Sequence, residues 1–423
     1  MDKLVIEGGK RLSGEVSISG AKNAALPIMA GAILAPGRHV FENVANLRDV
    51  LTMCQLLEIL GAKVDRSRLA SENRLEIDAT EINCLRAPYE LVKTMRASIL
   101  VLGPLYARCG RAEVSFPGGC AIGARPVDLH LKGLEMLGAK VSVEHGYIFA
   151  EKQKPKGAEI TFDLVTVTGT ENVMMAAALT PGKTVLVNSA QEPEVKDLAN
   201  YLNQMGASVK GAGTDRIEIQ GVSNLKPGSY RIMPDRIEAG TYMTAAAITG
   251  GELTLKNADH QHLQAVIAKL REAGAEIEEG RTGTRVSRSG KLRGADIRTA
   301  PFPGFPTDMQ AQMMALLAIA EGSLSVITET IFENRFLHAL ELQRMGANIK
   351  LEGKSALVTG VKKLSGAKVM ATDLRASASL VLAGLAAEGV TEISRVYHLD
   401  RGYERMEEKL KAVGAHIRRE KEE

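Results

Sequence analysis

The phrase Leu57-Glu58-Ile59-Leu60-Gly61-Ala62-Lys63-Val64 decides how this 423-residue chain is expected to fold, because variants of it recur along the whole sequence. Each copy predicts the end of an amphipathic helix, a glycine cap and the start of a strand. The glycines recur with a period of about 70 residues, which indicates internal repeats. The six glycines are Gly61, Gly138, Gly206, Gly274, Gly346 and Gly414.

A second pattern alternates with the first and consists of small apolar residues closed by a glycine. These runs are apolar almost all round, which predicts buried helices. We therefore expect an α/β fold of two domains, each an inside-out α/β barrel of three repeats, with sheets and other helices outside. The alternative is a set of βαβ units around a parallel sheet, but segments 38–44 and 252–257 alternate as half-exposed strands do. The runs are 24–37, 95–110, 171–182, 239–251, 309–322 and 374–389.

The composition is that of a soluble globular protein, with 45% hydrophobic and 24% charged residues. A chain of this length favours two domains over one core. It has no run of about eighteen uncharged apolar residues, so no membrane span is predicted. The first twenty residues carry Asp2, Glu7 and Glu15 and lack an apolar core segment, so they do not predict a signal peptide and a cytoplasmic location is expected.

The net charge and the cysteine spacing limit the classes of binding partner and metal site that the sequence favours. A net charge of +3 and 4% aromatic residues do not favour nucleic acid, but they leave room for arginine clusters that bind small anions. Neither a disulfide framework nor a zinc site is predicted, because Cys54, Cys84, Cys109 and Cys120 lack ligand-like spacing. No cofactor and no metal are predicted. The sequence does not indicate an oligomeric state, and a monomer is compatible with it.

The segment 117–130 contains the chemistry-bearing cysteine. Three glycines surround Cys120, and Arg125 and Pro126 precede an apolar helical periodicity that runs to Leu137. A cation and a helix N-terminus would favour the thiolate or make the thiol a usable proton donor. We interpret Cys120 as functional, although an isolated cysteine is more often a small buried hydrophobe.

Polar residues stand just ahead of each small-residue helix. N-capping accounts for Thr307 and Asp373. It does not account for the cations, which are unfavourable at a helix N-terminus unless an anion binds there. This conflict predicts an anion site at Lys22, Arg96, Arg125 and Arg375.

Seven long segments carry a resemblance to the UDP-N-acetylglucosamine 1-carboxyvinyltransferases, the enolpyruvyl transferases that open peptidoglycan precursor synthesis. The likeness covers essentially the whole chain and implies the two-domain inside-out α/β barrel. It implies one domain of residues 1–21 with 234–423 and another of residues 22–233. The segments are 19–27, 87–105, 117–139, 306–312, 329–336, 371–384 and 397–410.

The resemblance also implies the reaction. The 3-hydroxyl of UDP-N-acetylglucosamine adds to C2 of phosphoenolpyruvate, and the adduct then eliminates phosphate. Such a site needs a base, an acid and cations for a phosphate and a carboxylate. Cys120 matches the loop cysteine that protonates C3 or acts in product release. Asp308 matches the aspartate that takes the hydroxyl proton. The family is a known target of the phosphonate epoxide fosfomycin.

The substrate ligands are carried over from the same motifs, and Lys22 and Arg401 are expected to face one anion as the domains close. One departure is that Val165 stands where some members have a lysine, although Thr168 and Gly169 can offer a hydroxyl and an N–H. For phosphoenolpyruvate the residues are Lys22, Asn23, Arg125, Arg335, Arg375 and Arg401. For UDP-N-acetylglucosamine they are Asn23, Arg96, Arg125, Pro126, Val127, Asp128, Leu129, Thr168, Gly169, Asp308 and Ile331.

Three alternatives stay open. A shikimate-3-phosphate enolpyruvyl transferase shares the fold, but the resemblance to it lacks the cysteine loop. An acyl-transfer nucleophile at Cys120 would need a local base that the loop does not supply. A silent nucleotide-sugar sensor should have lost Cys120 or Asp308. We interpret His130 and His398 as supporting residues. Glu192 and Glu194 are either motif acids or helix-start carboxylates.

Overall fold

The structure is a computed structural model that describes residues 2–117, 127–280 and 283–422. These residues form two compact units. Unit 1 comprises residues 2–19 and 234–422, and unit 2 comprises residues 20–117 and 127–233. Each unit has its own cluster of buried apolar side chains, so each has a separate hydrophobic core. Both units mix helices and sheets, which confirms the α/β class.

Helices occur throughout both units. No helix among the described residues is long and apolar enough to cross a bilayer. Short 3₁₀ helices cover Ala32–Leu34, Arg96–Val101, His260–Leu263, Thr307–Met309 and Val396–Arg401. The α-helices are α1 Lys22–Gly31, α2 Arg48–Leu60, α3 Leu69–Glu72, α4 Tyr89–Val92, α5 Leu102–Cys109, α6 Asp128–Met136, α7 Val167–Ala178, α8 Pro193–Gln204, α9 Arg236–Thr249, α10 Gln264–Glu272, α11 Gln310–Leu317, α12 Leu337–Arg344, α13 Leu374–Ala386 and α14 Met406–Ala412.

The strands of unit 2 form three four-stranded sheets, with the orders β14-β3-β5-β4, β6-β7-β9-β8 and β10-β11-β13-β12. In each sheet the first pair is parallel and the other two pairs are antiparallel. The strands are β3 Arg38–Glu42, β4 Lys63–Asp65, β5 Leu75–Asp78, β6 Arg86–Ala87, β7 Arg111–Ser115, β8 Ala139–Glu144, β9 Tyr147–Lys152, β10 Glu159–Thr161, β11 Lys183–Val187, β12 Ser208–Lys210, β13 Arg216–Gln220 and β14 Ser229–Arg231.

Unit 1 has three sheets of the same kind, with the orders β16-β17-β15-β2, β18-β19-β21-β20 and β22-β23-β1-β24. The parallel-sheet alternative is therefore wrong, since every sheet formed by the described strands contains antiparallel pairs. The strands are β1 Asp2–Glu7, β2 Ser13–Ser17, β15 Glu252–Lys256, β16 Glu276–Glu279, β17 Thr284–Ser287, β18 Ile297–Arg298, β19 Leu324–Thr328, β20 Asn348–Glu352, β21 Ser355–Thr359, β22 Lys368–Met370, β23 Val390–Ser394 and β24 His416–Lys421.

The six phrase glycines end helices as predicted. Their φ angles lie between 89° and 110°, in the left-handed region that a residue with a Cβ atom avoids. Each glycine is followed within two residues by a strand, from β4 after Gly61 to β24 after Gly414. The recurring phrase therefore marks six helix-to-strand turns.

The small-residue helices are buried. Thirteen of the fourteen residues of α9 and all eight of α11 are buried, including polar residues such as Glu238 and Gln312. Two of the predicted helices are shorter than their apolar runs. Segment 95–110 forms a 3₁₀ helix before α5, and α11 ends at Leu317 although its run continues to 322.

Glu171 is a buried carboxyl group on α7, and one of its oxygens has no hydrogen-bond partner among the described residues. Burial, and then the neighbouring charges of Glu194 and Glu192, raise the pKa of Glu171 well above its ordinary value. The folded protein therefore holds this proton to a higher pH than the unfolded chain does. Stability is unaffected below the unfolded pKa and falls as the pH rises from there towards the folded pKa.

We expect Glu171→Gln to stabilise the protein at pH 8 and to have little effect near pH 4. The gain should be on the order of 1 kcal/mol or more in the free energy of unfolding, since one pKa unit corresponds to about 1.4 kcal/mol. Thermal and urea unfolding at both pH values measure it. Glu135→Gln is the control, because Glu135 is exposed on α6. Equal effects of the two substitutions at pH 8 would contradict the prediction.

Candidate functional site

Asp308 is the centre of a charged cluster in unit 1. It lies in the 3₁₀ helix that leads into α11, and its carboxylate is held by two arginines from distant parts of the chain. Asp308 Oδ1 accepts a hydrogen bond from Arg335 Nη2 at 2.7 Å, and Oδ2 accepts one from Arg375 Nη2 at 2.8 Å. Both arginine side chains are 5% exposed, and the Asp308 side chain is 25% exposed. The carboxylate is therefore the more accessible partner.

Arg375 is presented by the first turn of α13. Asp373 caps this helix, and its Oδ1 accepts hydrogen bonds from the backbone N–H groups of Arg375 and Ala376 at 2.8 and 3.0 Å. This confirms the predicted cap. The guanidinium lies over the Tyr403 ring, 5.5 Å from its centroid. Its Nε and Nη1 atoms are buried and have no hydrogen-bond partner among the described residues. Arg375 is therefore held by Asp308 and by the Tyr403 ring within the buried part of the cluster.

Thr307 does not cap the helix as predicted. Its hydroxyl accepts a hydrogen bond from Arg335 Nη1 at 2.9 Å and donates to Glu329 Oε2 at 2.8 Å. The other oxygen of Glu329 accepts from Thr299 Oγ1 and from the backbone N–H groups of residues 331 and 332. Arg335 thus takes the acceptor role that a helix cap would use, and Glu329 fixes both Thr307 and the loop that carries Ile331.

The electrostatics of the cluster keep Asp308 ionised. Burial alone would raise the pKa of Asp308, but Arg375 and then Arg335 outweigh burial and hold the pKa well below its ordinary value.

The side chain of Gln312 holds the backbone of Asp308 in place. Gln312 Nε2 donates to the Asp308 carbonyl at 2.9 Å and to Tyr403 Oη at 3.2 Å. Tyr403 Oη also forms a hydrogen bond with Thr241 Oγ1 at 2.9 Å, so these hydrogen bonds connect the Asp308 backbone to α9.

In unit 2, Lys22 begins α1 and pairs with Asp49 in the first turn of α2. The Nζ–Oδ2 distance is 3.0 Å, and the two side chains are 13% and 6% exposed. This lysine stands at a helix N-terminus, where a cation is unfavourable by itself. Asp49 supplies the compensating charge, which the sequence did not indicate.

A second polar group in unit 2 surrounds the start of α7. Thr168 Oγ1 lies 3.3 Å from His130 Nε2, and Asn172 Nδ2 lies 2.9 Å from His130 Nδ1. The Gly169 N–H, predicted to be available to a ligand, instead donates to the capping Thr166 hydroxyl at 3.2 Å. The Thr168 hydroxyl therefore remains the side-chain group at this turn that can meet a ligand.

The structure brings together the predicted residues Asp308, Arg335 and Arg375. It leaves Cys120, Arg125 and Pro126 outside the described residues. No group of three or more His, Cys, Asp or Glu side chains within the described ranges is placed to hold a metal ion. Of the other predicted ligands, Asn23 and Asp128 are exposed, Arg96, Thr168, Ile331 and Arg401 are half-buried, and Val127, Leu129 and Gly169 are buried.

Three supporting residues were missed by the sequence interpretation. Glu329 lies within a segment that carried the resemblance, so its buried carboxylate could have been suspected. Asp49 and Asn172 sit in ordinary helical patterns, and nothing in the sequence marked them. Their roles depend on which helices are neighbours, and that information is tertiary.

Comparison with known proteins identifies the family of this chain. A sequence model of EPSP synthase (3-phosphoshikimate 1-carboxyvinyltransferase) matches residues 6–410. The chain belongs to the EPSP synthase family. The chain is 60% identical over 420 residues to the UDP-N-acetylglucosamine 1-carboxyvinyltransferase of Trichlorobacter lovleyi, and the alignment covers 99% of each protein. The protein of that name from Geobacter metallireducens is 59% identical over 422 residues, or 100% of both chains. The resemblance inferred from the seven segments is confirmed.

Solved structures agree with this family. The enolpyruvyl transferase NikO from Streptomyces tendae has a TM-score of 0.88 and 26% identity, with 99% of this chain and 98% of NikO covered. An EPSP synthase from Acinetobacter baumannii has a TM-score of 0.76 and 18% identity, with both chains fully covered. The second likeness supports the fold alone, because the sequences have diverged widely.

Proposed function

We propose that this chain transfers the enolpyruvyl group of phosphoenolpyruvate to the 3-hydroxyl of UDP-N-acetylglucosamine and releases phosphate. The observation that carries the proposal is the Asp308 carboxylate between two buried arginines, on a chain 57–60% identical over its full length to proteins named for this reaction. The product would be the 3-enolpyruvyl ether, an early precursor of peptidoglycan, and we propose a cytoplasmic site for the reaction.

We assign Asp308 and Cys120 to the proton-transfer steps of the reaction. Asp308 takes the proton of the sugar 3-hydroxyl as its oxygen attacks C2 of phosphoenolpyruvate, and Cys120 delivers a proton to C3 or acts in product release. The adduct then loses a C3 proton and phosphate. We assign Lys22, Asn23, Arg125, Arg335, Arg375 and Arg401 to phosphoenolpyruvate. We assign Asn23, Arg96, Arg125 to Leu129, Thr168, Gly169, Asp308 and Ile331 to the nucleotide sugar.

The low pKa of Asp308 has a consequence for its role as a base. A carboxylate held by two arginines takes up a proton weakly, and a good base has a pKa near the working pH. Binding of the anionic phosphoenolpyruvate near Arg375 and Arg335 offers a resolution, because these two charges lower the pKa of Asp308. An anion bound there offsets part of the positive charge that Asp308 experiences. The pKa of Asp308 then rises when the anionic substrate arrives, so the base strengthens only in the loaded site.

We also propose the finer architecture. Each unit is an inside-out α/β barrel of three repeats. This is supported by the three four-stranded sheets that the described residues form in each unit, and by the buried small-residue helices. The proposed domains are residues 1–21 with 234–423, and residues 22–233. Lys22 and Arg401 would face one anion when the domains close. We propose no cofactor and no metal for the reaction.

The shikimate-3-phosphate reaction is the second candidate, since the family model carries the name of that enzyme. The relatives at 57–60% identity all bear the nucleotide-sugar name, which favours the first candidate. A silent sensor is disfavoured because Cys120, Asp308 and the arginines are all present.

Phosphate release tests the proposal. We expect the purified protein to release phosphate from phosphoenolpyruvate when UDP-N-acetylglucosamine is present, and to release none with either substrate alone. Mass spectrometry should identify the enolpyruvyl ether. Release with shikimate 3-phosphate in place of the nucleotide sugar would favour the sister reaction. Tight binding of the nucleotide sugar without phosphate release would indicate the sensor.

A further inference from the structure

The Asn172 side chain fixes the orientation of a buried polar chain in unit 2. Its Oδ1 accepts a hydrogen bond from the Gly103 backbone N–H at 2.6 Å, and its Nδ2 donates to the Ile99 carbonyl at 3.0 Å. Each backbone partner has only one possible role, donor for the N–H and acceptor for the carbonyl. The amide orientation of Asn172 is therefore determined by its partners.

This orientation determines the tautomer of His130. Asn172 Nδ2 carries hydrogens and lies 2.9 Å from His130 Nδ1, so Nδ1 must accept. A neutral imidazole whose Nδ1 accepts carries its proton on Nε2. Burial, with a smaller contribution from the Arg96 charge, lowers the pKa of His130 to about 4, so the ring is neutral at physiological pH. His130 therefore has one N–H donor, at Nε2.

The Nε2–H of His130 points at the hydroxyl of Thr168, the second residue of α7, at 3.3 Å. A hydroxyl that accepts from the imidazole must direct its own hydrogen elsewhere. Among the described residues, Thr168 Oγ1 donates to no other group. Thr168 is a half-exposed residue at the N-terminal turn of a twelve-residue helix, where a negative charge is stabilised.

We propose that His130 is a positioning residue that makes the Thr168 hydroxyl a donor to a phosphate oxygen of the nucleotide sugar. The inference rests on the proposed function and gives one contact for the diphosphate. Val165 stands near this turn, where some members of the family that the chain resembles have a lysine. An oriented neutral hydroxyl replaces that charge, and Asn172 holds the imidazole that orients it.

Matched variants of Thr168 test the contact. We expect Thr168→Val to weaken the binding of UDP-N-acetylglucosamine by about tenfold in calorimetry, as the loss of a hydrogen bond to a charged group predicts. The KM for the nucleotide sugar should rise by a similar factor, with kcat and the KM for phosphoenolpyruvate unchanged. Thr168→Ser keeps the hydroxyl and should bind as the wild type does. Unchanged binding by Thr168→Val would overturn the proposal.

A double-mutant cycle tests the role of His130. His130→Leu should weaken binding about as much as Thr168→Val, and the double variant should be no weaker than either single variant. His130→Gln can still donate from its amide and should recover part of the affinity. Additive effects in the double variant would show that His130 does not act through Thr168. If His130→Leu does not fold, Thr168→Val against Thr168→Ser decides alone.

The wild-type protein separates this inference from the proposed function. If the wild type neither binds UDP-N-acetylglucosamine nor releases phosphate with it, the proposed function is wrong and the contact is withdrawn with it. If the wild type is active and Thr168→Val matches it in the KM for the nucleotide sugar, the function stands and only the contact is wrong.

Discussion

Replacing Asp308 with Asn is expected to abolish turnover while nucleotide-sugar binding is retained. The amide can still accept one hydrogen bond from Arg335 or Arg375, so the substrate-facing shape of the cluster is preserved. It cannot take the proton of the attacking hydroxyl. General base catalysis typically contributes about 10²- to 10⁴-fold, and kcat should fall by at least that range. Phosphate release at saturating substrates, with calorimetry for binding, measures both parts.

Two controls make this result interpretable. Asp308→Asn leaves the positive charges of two buried arginines uncompensated, so circular dichroism must show that the variant is folded. The pH dependence of the wild type gives a second check. The free protein keeps the pKa of Asp308 well below its ordinary value, so kcat/KM should show no loss on the acid side from this group above about pH 5. Loss of binding with normal turnover at saturation would contradict the base assignment.

Cys120 is expected to be the cysteine that reacts first with fosfomycin and the one whose loss stops the reaction. Its sequence neighbours are glycines and Arg125, which favour a reactive thiol. The phosphonate of fosfomycin can occupy the anion subsite and present its epoxide to sulfur. Cys120→Ala should lower kcat by about 10²- to 10⁴-fold, whereas Cys120→Asp keeps a proton donor and should retain more activity. Bound nucleotide sugar should speed the labelling.

The other cysteines provide an internal control for the labelling. Cys54 is fully buried, and burial raises the pKa of its thiol to about 12. Burial also raises the pKa of Cys109. The thiol of Cys84 lies 3.7 Å from the Arg86 carbonyl, its hydrogen-bond acceptor. Peptide mass mapping after brief treatment should therefore find the label on Cys120 first. Earlier labelling of another cysteine, or equal inactivity of Cys120→Asp and Cys120→Ala, would show that the proposed acid role is wrong.

Much of the fold could be predicted because its signals are local and repeated. A glycine after a helix takes a positive φ wherever the helix lies, so Gly61 and Gly414 behave alike although they are in different units. The buried helices could be predicted because small and apolar residues make up most of each run. The helix lengths were less predictable, since the apolar run after Gln310 continues beyond the end of α11. The apolar composition of a segment does not determine the residue at which the helix ends.

The site could be predicted as a set of residues but not as a set of partners. Arg335 and Arg375 were expected near substrate. Each donates a hydrogen bond to Asp308, although Arg375 lies 67 positions from Asp308 in the sequence. The misassigned cap shows the same limit. Thr307 satisfies the local rule for an N-cap, but its hydroxyl accepts from the buried Arg335 and donates to Glu329. A buried guanidinium loses more by staying unpaired than a helix end does by meeting water.

The first strand of the chain has its partners at the far end, and this affects the order of folding during synthesis. β1 pairs with β23 and β24, whose residues leave the ribosome about four hundred positions later. Unit 2 is continuous in sequence apart from its undescribed segment, so it can fold as soon as residue 233 has emerged. β1 and β2 must meanwhile wait as unpaired strands, which are prone to pair with other chains. Nascent unit 1 is therefore the part of this protein that most needs protection until its last strand is made.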